Sequence, residues 1–395
     1  MLTPPASVAL AWSSELLGYD FGVGHPMAPA RLRLTMDLIR ALGLLDAPGL
    51  RMVETTEASD ELLATVHDRD FIAAVRAGGD GLRDPVRGLG TTDNPVFPRV
   101  HEASARIVGA TVAGAEEVWS GRSRHAVSLA GGMHHAMAAA ASGFCIYNDV
   151  AAAIQWLLEH GCERVLYVDV DAHHGDGVER AFWDDPRVVT VSVHQSGESL
   201  FPGTGFAQDV GGPNARGGAV NVPLPAHTSD IPWLRAIEAV VAPLAEEFAP
   251  QVIVSQHGCD THRRDPLTTM DISMDGLRAA AVLIGGLAER HSGGRWLATG
   301  GGGYDILSTV PRAWAHLVAV SAGVDLPGST PVPASWREEV AALGDLDAPQ
   351  TMGDGVDVTF RTWVEGFDPD DPVDRAIMAT RRSVFPWHGL DPLTA

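Results

Sequence analysis

Short β-rich apolar runs alternate along this chain with longer segments of helical period, a rhythm that predicts a largely parallel sheet enclosed between helices. The candidate strands are Ser7 to Trp12, His125 to Leu129, Arg164 to Val170, Val188 to Val193, Ala219 to Leu224, Val252 to Gln256 and Trp296 to Thr299. Helical segments run over Arg31 to Leu44, Pro98 to Trp119, Asp149 to His160, Ile231 to Phe248, Ser273 to His291 and Ile306 to Ala322. Pro98 suits a first helical turn, and Asp149 and Ser273 suit N-terminal caps. From Gly323 onward the rhythm stops and Pro, Asp and Trp become frequent. The expected division is an α/β domain over 1–325 and an extension over 326–395 packed on it.

The polar residues are not spread evenly over this frame. Gly131 to His135, Asp169 to Asp176, His194, His257 to Asp260 and Gly300 to Tyr304 each follow directly on a predicted strand. Open α/β sheets bind ligands at the carboxyl ends of their strands, so five such loops rich in His, Asp and Gly point to one site. The formal charge of −22 repels phosphate backbones and anionic lipid surfaces, and no basic run offsets it, which excludes nucleic acid and membrane partners. The three cysteines, Cys145, Cys162 and Cys259, are odd in number and widely spaced, so neither a disulfide framework nor a cysteine-rich zinc site is expected. No apolar stretch reaches the ~18 residues of a membrane span. No Lys or Arg precedes the apolar run at Val8, so the start does not read as a secretory signal, and a cytoplasmic location is expected.

Asp169, Asp171 and His173 alternate with Val170 and Ala172, which in extended chain turns all three to one side. Burying clustered carboxylates without a counter-charge is costly, and a divalent cation removes that cost. Asp171 and His173, joined by Asp260 from another strand end, supply three ligands suited to Zn²⁺ or a similar first-row ion. The coordination position left open suits hydrolysis, because a bound cation acidifies water and polarises a carbonyl. A closed site that merely staples loops is usually Cys-rich. His134 and His135, beside Asp169 and Asp176, suggest two His–Asp pairs in which each carboxylate fixes a tautomer. One imidazole can take a proton from water and one can return it to the leaving group; the sequence does not divide those roles. Tyr304 follows four glycines that lack both the P-loop ending and the dinucleotide spacing. Its phenol can donate to an oxyanion on a closely approaching ligand.

In order, His25-Pro26-Met27 with Arg31, Asp93, GGMHHA at 131–136, SGFCIYND at 142–149, DVDAHHGDG at 169–177, FPGTG at 201–205, the Asp260 block and GGGGY at 300–304 make a series. Together they resemble the zinc-dependent histone deacetylase family of the arginase/deacetylase superfamily, from about Val8 to Val324. The resemblance implies a three-layer α/β/α fold whose site lies in loops at the carboxyl ends of a largely parallel sheet, with 1–325 as the catalytic domain. It implies that Asp171, His173 and Asp260 bind zinc, that His134 pairs with Asp169 and His135 with Asp176, and that Tyr304 stabilises the tetrahedral intermediate. Gly143 would accept from the substrate amide, Phe144, Phe201 and Leu267 would line a channel for an acetyl-lysine stem, and Asp93 would hold the substrate backbone at the rim. Arg31 matches an arginine beside an acetate-release channel. Asp169, Asp171, His173, Ser192 and Val193 match a monovalent-cation site usually filled by K⁺. Without the resemblance, Phe144, Phe201 and Leu267 read as core.

The opening ELLGYDFGVGHPMAPARLRLTMDLIRALGLL and the QHGCDTHRRDPL block look most like the bacterial acetoin-utilization branch, associated with acetylated metabolic enzymes including acetyl-CoA synthetase. Met133 and His257-Gly258-Cys259 depart from the familiar eukaryotic pattern, a difference that bears on the rim. The ureohydrolases of the superfamily need carboxylates for a second metal, and His174-Gly175-Asp176 with no Asp-x-Asp pair around Asp260 leave that second site incomplete. The expected activity is removal of acetyl from lysine side chains of cytoplasmic proteins by a Zn²⁺ enzyme, with Fe²⁺ as an alternative ion and acetate as product. Acetylpolyamine hydrolysis by the same site is the nearest rival, against which Leu267 at the gate argues; a silent acetyl-ligand sensor is the other. Oligomeric state is not encoded legibly.

Overall fold

The computed structural model describes residues 7–344 and 348–394. Its sheet has eight strands: β1 (Val8–Ala11), β2 (Leu50–Val53), β3 (His125–Ser128), β4 (Val165–Asp169), β5 (Val188–Gln195), β6 (Ala219–Leu224), β7 (Val252–Gln256) and β8 (Trp296–Thr299). All neighbours pair parallel in the order β2-β1-β3-β8-β7-β4-β5-β6. Parallel sheets are covered on both faces, so their strands are apolar throughout, and β1, β3, β4, β5, β7 and β8 are buried at every position.

The helices are α1 (Ala30–Ala41), α2 (Asp60–Leu63), α3 (Arg69–Gly79), α4 (Val100–Trp119), α5 (Asp149–Glu159), α6 (Asp176–Ala181), α7 (Asp230–Phe248), α8 (Met274–His291), α9 (Thr309–Ser321), α10 (Ala334–Ala342) and α11 (Pro372–Val384). α4 and α5 pack together, while α1, α9, α8 and α7 pack in series, giving the three-layer α/β/α arrangement. The strand order matters most for the site. β3, β8, β7 and β4 are consecutive neighbours, and the loops that leave them carry His134 and His135, Tyr304, Asp260, and Asp171 with His173.

All seven strands read from the sequence are present, three with the expected bounds and the others with ends that move by at most two residues. β2 was not expected because it is a four-residue edge strand, partly exposed and broken by Arg51, so no continuous apolar run marks it. α3 buries Phe71, Ile72 and Val75 from a short amphipathic stretch that the rhythm passes over. Two helix starts, the first turn placed at Pro98 and the cap placed at Asp149, are corrected. Pro98 precedes α4, whose cap is Arg99 in the left-handed region at φ 65°. Asn148, not Asp149, caps α5 by accepting from Ala151 N, which frees the Asp149 carboxylate for another task. Ser273 does cap α8, accepting from Gly276 N. His194 lies within β5 rather than in a loop, fully buried between Ser192 Oγ at 2.8 Å and Gly205 O at 2.9 Å.

The C-terminal residues lie against the α/β body. Trp336 of α10 donates to Leu34 O at 2.9 Å. α11 packs on α7 and β6, where Arg235 and Asp374 form a buried ion pair at 2.7 Å. Cys145, Cys162 and Cys259 are free and buried. Among the described residues no helix is long and apolar enough to cross a membrane.

Trp296 joins β8 to α8: its ring packs where a Cβ on Gly285 would come within 2.9 Å, and its Nε1 donates to Ser255 Oγ at 2.7 Å. Trp296→Ala is expected to lower the unfolding free energy by about 3–5 kcal/mol, read as a lower denaturant midpoint.

Candidate active site

The loop after β3 is shaped by the freed Asp149 carboxylate. It accepts from Gly132 N at 3.0 Å, from Met133 N at 2.8 Å and from the Thr111 hydroxyl at 2.6 Å, all buried. This turn delivers His134 and His135 to the sheet edge. His134 Nδ1 lies 2.8 Å from Asp169 Oδ2, which also accepts from the Tyr167 hydroxyl at 2.6 Å. His135 Nδ1 lies 2.7 Å from Asp176 Oδ1, and the two Nε2 atoms are 3.0 Å apart. The environments push the two rings in opposite directions. Burial opposes charge on His134, but the carboxylates of Asp169 and Asp171 outweigh it and raise its pKa to about 9. Burial and the charge of His134 lower His135 to about 4 against the pull of Asp176.

Beside them Asp171, His173 and Asp260 bring donor atoms within 4.8 Å of one another. One oxygen of each carboxylate is tied back. Asp171 Oδ2 accepts from Gln256 Nε2 at 2.7 Å and Gly302 N at 2.8 Å, and Asp260 Oδ1 accepts from Ala172 N at 2.9 Å. The other two oxygens, Asp171 Oδ1 and Asp260 Oδ2, converge on His173 Nδ1 at 3.1 and 2.8 Å. Burial opposes charge on His173, yet these carboxylates raise its pKa to about 10. Two fully buried, oriented carboxylates and one imidazole, with no Arg bonded to them among the described residues, are the donor set of a first-row divalent ion with a position left open. The chain thus fits a divalent metal at this triad.

A cavity of about 230 Å³ opens onto the triad, lined among others by His134, His135, Gly143, Phe144, Phe201, Leu267 and Tyr304. Phe201 is 45% exposed and Leu267 38%, so these side chains wall a channel instead of filling the core. Phe144 sits at φ 67°, held by the Tyr19 hydroxyl on its carbonyl at 2.7 Å. Gly143, at φ 51°, packs so closely on His135 that a Cβ would lie 2.4 Å from the ring. Tyr304 meets Phe144 edge-on at 5.6 Å. Burial first, then Asp260, pushes its phenol far above the usual range, so it stays a proton donor. Its backbone N donates to Asp265 Oδ2 at 2.7 Å, while Leu267 N donates to Asp265 Oδ1 at 3.0 Å.

Asp93 lies exposed at the rim, its carbonyl 3.2 Å from His25 Nε2. Arg31 is buried below the channel, bonded to Gly301 O, with its guanidinium 5.4 Å from the Tyr304 ring and 5.0 Å from that of Trp314. Asp169 and Ser192 are paired across β4 and β5 with Val193 following, behind Asp171 and His173. Asp149 was read from the sequence only as a helix cap, and Asp265, Gln256 and Tyr19 were not singled out, since the contacts that matter here are to partners distant in the chain. The local signal nearest to them is the clustering of Asp149 and Asp265 inside motif blocks.

The fold and this site together define a metal-dependent hydrolase of the deacetylase type. Residues 25–321 match the model of the histone deacetylase domain, and the chain belongs to that family. Within it the chain stands in the bacterial acetoin-utilization branch. It is 41% identical over 351 residues to the acetoin utilization protein AcuC of Bacillus subtilis (strain 168), covering 88% of this chain and 90% of that one. AcuC of Staphylococcus xylosus is 36% identical over 347 residues, 87% of this chain and 89% of that one. A solved structure of an HDAC homolog complexed with SAHA superposes with a TM-score of 0.81 at 28% identity, covering 95% of this chain and all of that one.

Metal titration of chelator-treated protein is expected to give one tight divalent site per chain, and His173→Ala to weaken it by about 10²-fold or more. Unchanged affinity in that variant would move the ion elsewhere. Asp149→Ala strands two buried N–H groups and is expected to cost about 2–4 kcal/mol, measured by denaturant unfolding.

Proposed function

We propose that this deacetylase removes acetyl groups from lysine side chains of cytoplasmic proteins, releasing acetate. The observation that carries the reading is the channel: between Asp93 at the rim and Asp171 at the floor, its walls are Phe144, Phe201 and Leu267. Such walls accept an uncharged alkyl stem, and Leu267 at the gate argues against the extra ammonium of an acetylated polyamine. The acetoin-utilization names of the relatives support seeking targets among metabolic enzymes, and acetyl-CoA synthetase is a candidate that the family resemblance implies.

Asp171, His173 and Asp260 would hold the ion, for which the N/O donor set favours Zn²⁺, with Fe²⁺ as the alternative. When bound, such an ion polarises a carbonyl and acidifies water. The remaining steps belong to the chain. Gly143, in its left-handed turn, presents its backbone carbonyl to the substrate amide. His135, kept neutral, takes the water proton at Nε2 and passes it to the departing amine. Asp176 holds the opposite face of that ring. His134, kept charged by Asp169, places a positive group beside the reacting carbon without giving up its proton. Tyr304 donates its hydroxyl proton in a hydrogen bond to the carbonyl oxygen as charge builds there. Arg31 below the channel offers a cation for the acetate product, and the β4–β5 edge with Ser192 and Val193 is the proposed K⁺ position.

Acetate release should be measured from an acetyl-lysine peptide and from an acetylated polyamine, each beside Tyr304→Phe. Peptide turnover that falls by roughly 10²-fold or more in the variant is expected. Turnover of the polyamine alone would assign the rival substrate, and silence on both would favour an acetyl-ligand sensor. The pH profile of kcat/KM is expected to be bell-shaped. Activity rises with pH as His135 loses its proton, with a limit set by its lowered pKa of about 4, and falls as His134 loses its own towards about 9. His134→Ala should remove the alkaline limb.

A further inference from the structure

The C-terminal segment beyond the α/β rhythm has no part in the chemistry above, yet one of its carboxylates reaches the loops that carry it. Asp354 Oδ2 lies 2.9 Å from His262 Nε2 and accepts from Met274 N at 3.0 Å. Its Oδ1 accepts from Arg312 Nη1 at 2.9 Å. His262 and Arg312 are almost fully buried, with side chains 1% and 4% exposed. His262 stands two residues after Asp260 in the β7–α8 loop, and Arg312 lies in the first turn of α9, just beyond the Gly300–Tyr304 loop. A single carboxylate therefore joins the loop that presents Asp260 to the helix that continues the Tyr304 loop.

The orientation of His262 is fixed from both sides. Arg264 N donates to Nδ1 at 3.2 Å, so Nδ1 is the acceptor and Nε2 carries the proton given to Asp354. Thr309 Oγ1, at the start of α9, lies 3.0 Å from the same Nδ1. The next residues of this loop lead to Asp265, whose two oxygens receive Tyr304 N and Leu267 N. The Asp354 end is equally fixed. Asp275 Oδ2 accepts from Asp354 N at 2.9 Å and Val356 N at 3.0 Å, and Arg312 also reaches the carbonyls of Thr351 and Gly353.

We infer that Asp354 is a positioning residue of the deacetylase site: through His262 and Arg312 it clamps the β7–α8 and β8–α9 loops together and sets Asp260 against Tyr304. The inference rests on the metal and tyrosine roles proposed above. A partner one step behind a metal-bearing loop typically changes metal affinity or activity by about 10–100-fold when removed.

The test uses the full chain and compares wild type with Asp354→Asn, His262→Ala, the double variant, His262→Gln and Asp374→Asn. Three quantities are read: Zn²⁺ affinity by competition with a chromophoric chelator, kcat and KM on an acetyl-lysine peptide, and the denaturant midpoint. Asp354→Asn is expected to weaken Zn²⁺ binding and lower kcat by about tenfold each, with KM moved by less than about threefold. The double variant should be no worse than the poorer single one, since both break one contact. His262→Gln, which restores a donor towards Asp354, should recover most of the loss. Asp374→Asn loosens the same C-terminal segment at α11, so it should lower the midpoint while leaving kcat and Zn²⁺ affinity unchanged.

Multiplying losses in the double variant, no rescue by His262→Gln, or equal effects of Asp374→Asn and Asp354→Asn on all three readouts would overturn the inference. If Asp354→Asn does not fold, the two His262 variants decide between rescue and none. If wild type turns over no acetyl substrate, the substrate reading fails by itself, and the Zn²⁺ affinities still decide the role of Asp354.

Discussion

The molecule is organised around buried negative charge. Asp169, Asp171 and Asp260 have at most 1% of their surface exposed, and they crowd one edge of a sheet in a chain of net charge −22. Carboxylates so placed are tolerated only when every oxygen meets a donor or a cation. The surroundings supply these one by one: Gln256 and the Gly302 amide to Asp171, the Ala172 amide to Asp260, and Tyr167 with His134 to Asp169. The oxygens left over face one another across His173, which is why a divalent ion fits there. The opposed shifts of His134 and His135 arise partly from the same charge: Asp169 and Asp171 hold a proton on His134 against its burial, while burial first, and then the charge of His134, keep one off His135.

Glycine makes the crowding sterically feasible. A Cβ on Gly302 would fall 2.2 Å from Asp260 Oδ2 and 2.9 Å from Asp171 Oδ2, so the loop bearing Tyr304 could not lie against the triad with any larger residue. Two of the donors to the triad, Gly302 N and Ala172 N, are backbone amides, which carry no net charge and lose no side-chain entropy. The result is a site whose wall on the Tyr304 side is main chain, and whose channel is left to aromatic and aliphatic side chains.

Much of this was legible in the residues. Alternation of Asp169, Asp171 and His173 with small apolar neighbours marks a functional strand end by period alone, and the β-rich runs locate seven of the eight strands. What escaped was of two physical kinds. Elements at the margin, such as β2 with Arg51 in its middle and an exposed Met52, lack the unbroken apolar run that marks a strand buried on two faces. Residues such as Asp149 and Asp265 act on backbone groups brought near by tertiary folding, so nothing in their immediate sequence states the partner. Asp149 illustrates the trap: next to a helix start it reads as a cap, while Asn148 takes that place and Asp149 turns to the β3 loop. Phe201 and Leu267 show the converse, apolar residues whose half-exposure only the folded chain reveals.

The position of β8 carries a consequence for how such a chain is made. β8 is the last strand in sequence, yet it lies between β3 and β7 at the centre of the sheet. Without β8, the strands β2-β1-β3 and β7-β4-β5-β6 can pair only as two separate half-sheets, each with an apolar edge open to pairing with other chains. Completion of the sheet and assembly of the pocket are then one event, because the strand that closes the gap also brings the Gly300–Tyr304 loop. A chain of this design gains its reactivity and loses its tendency to aggregate at the same moment of synthesis.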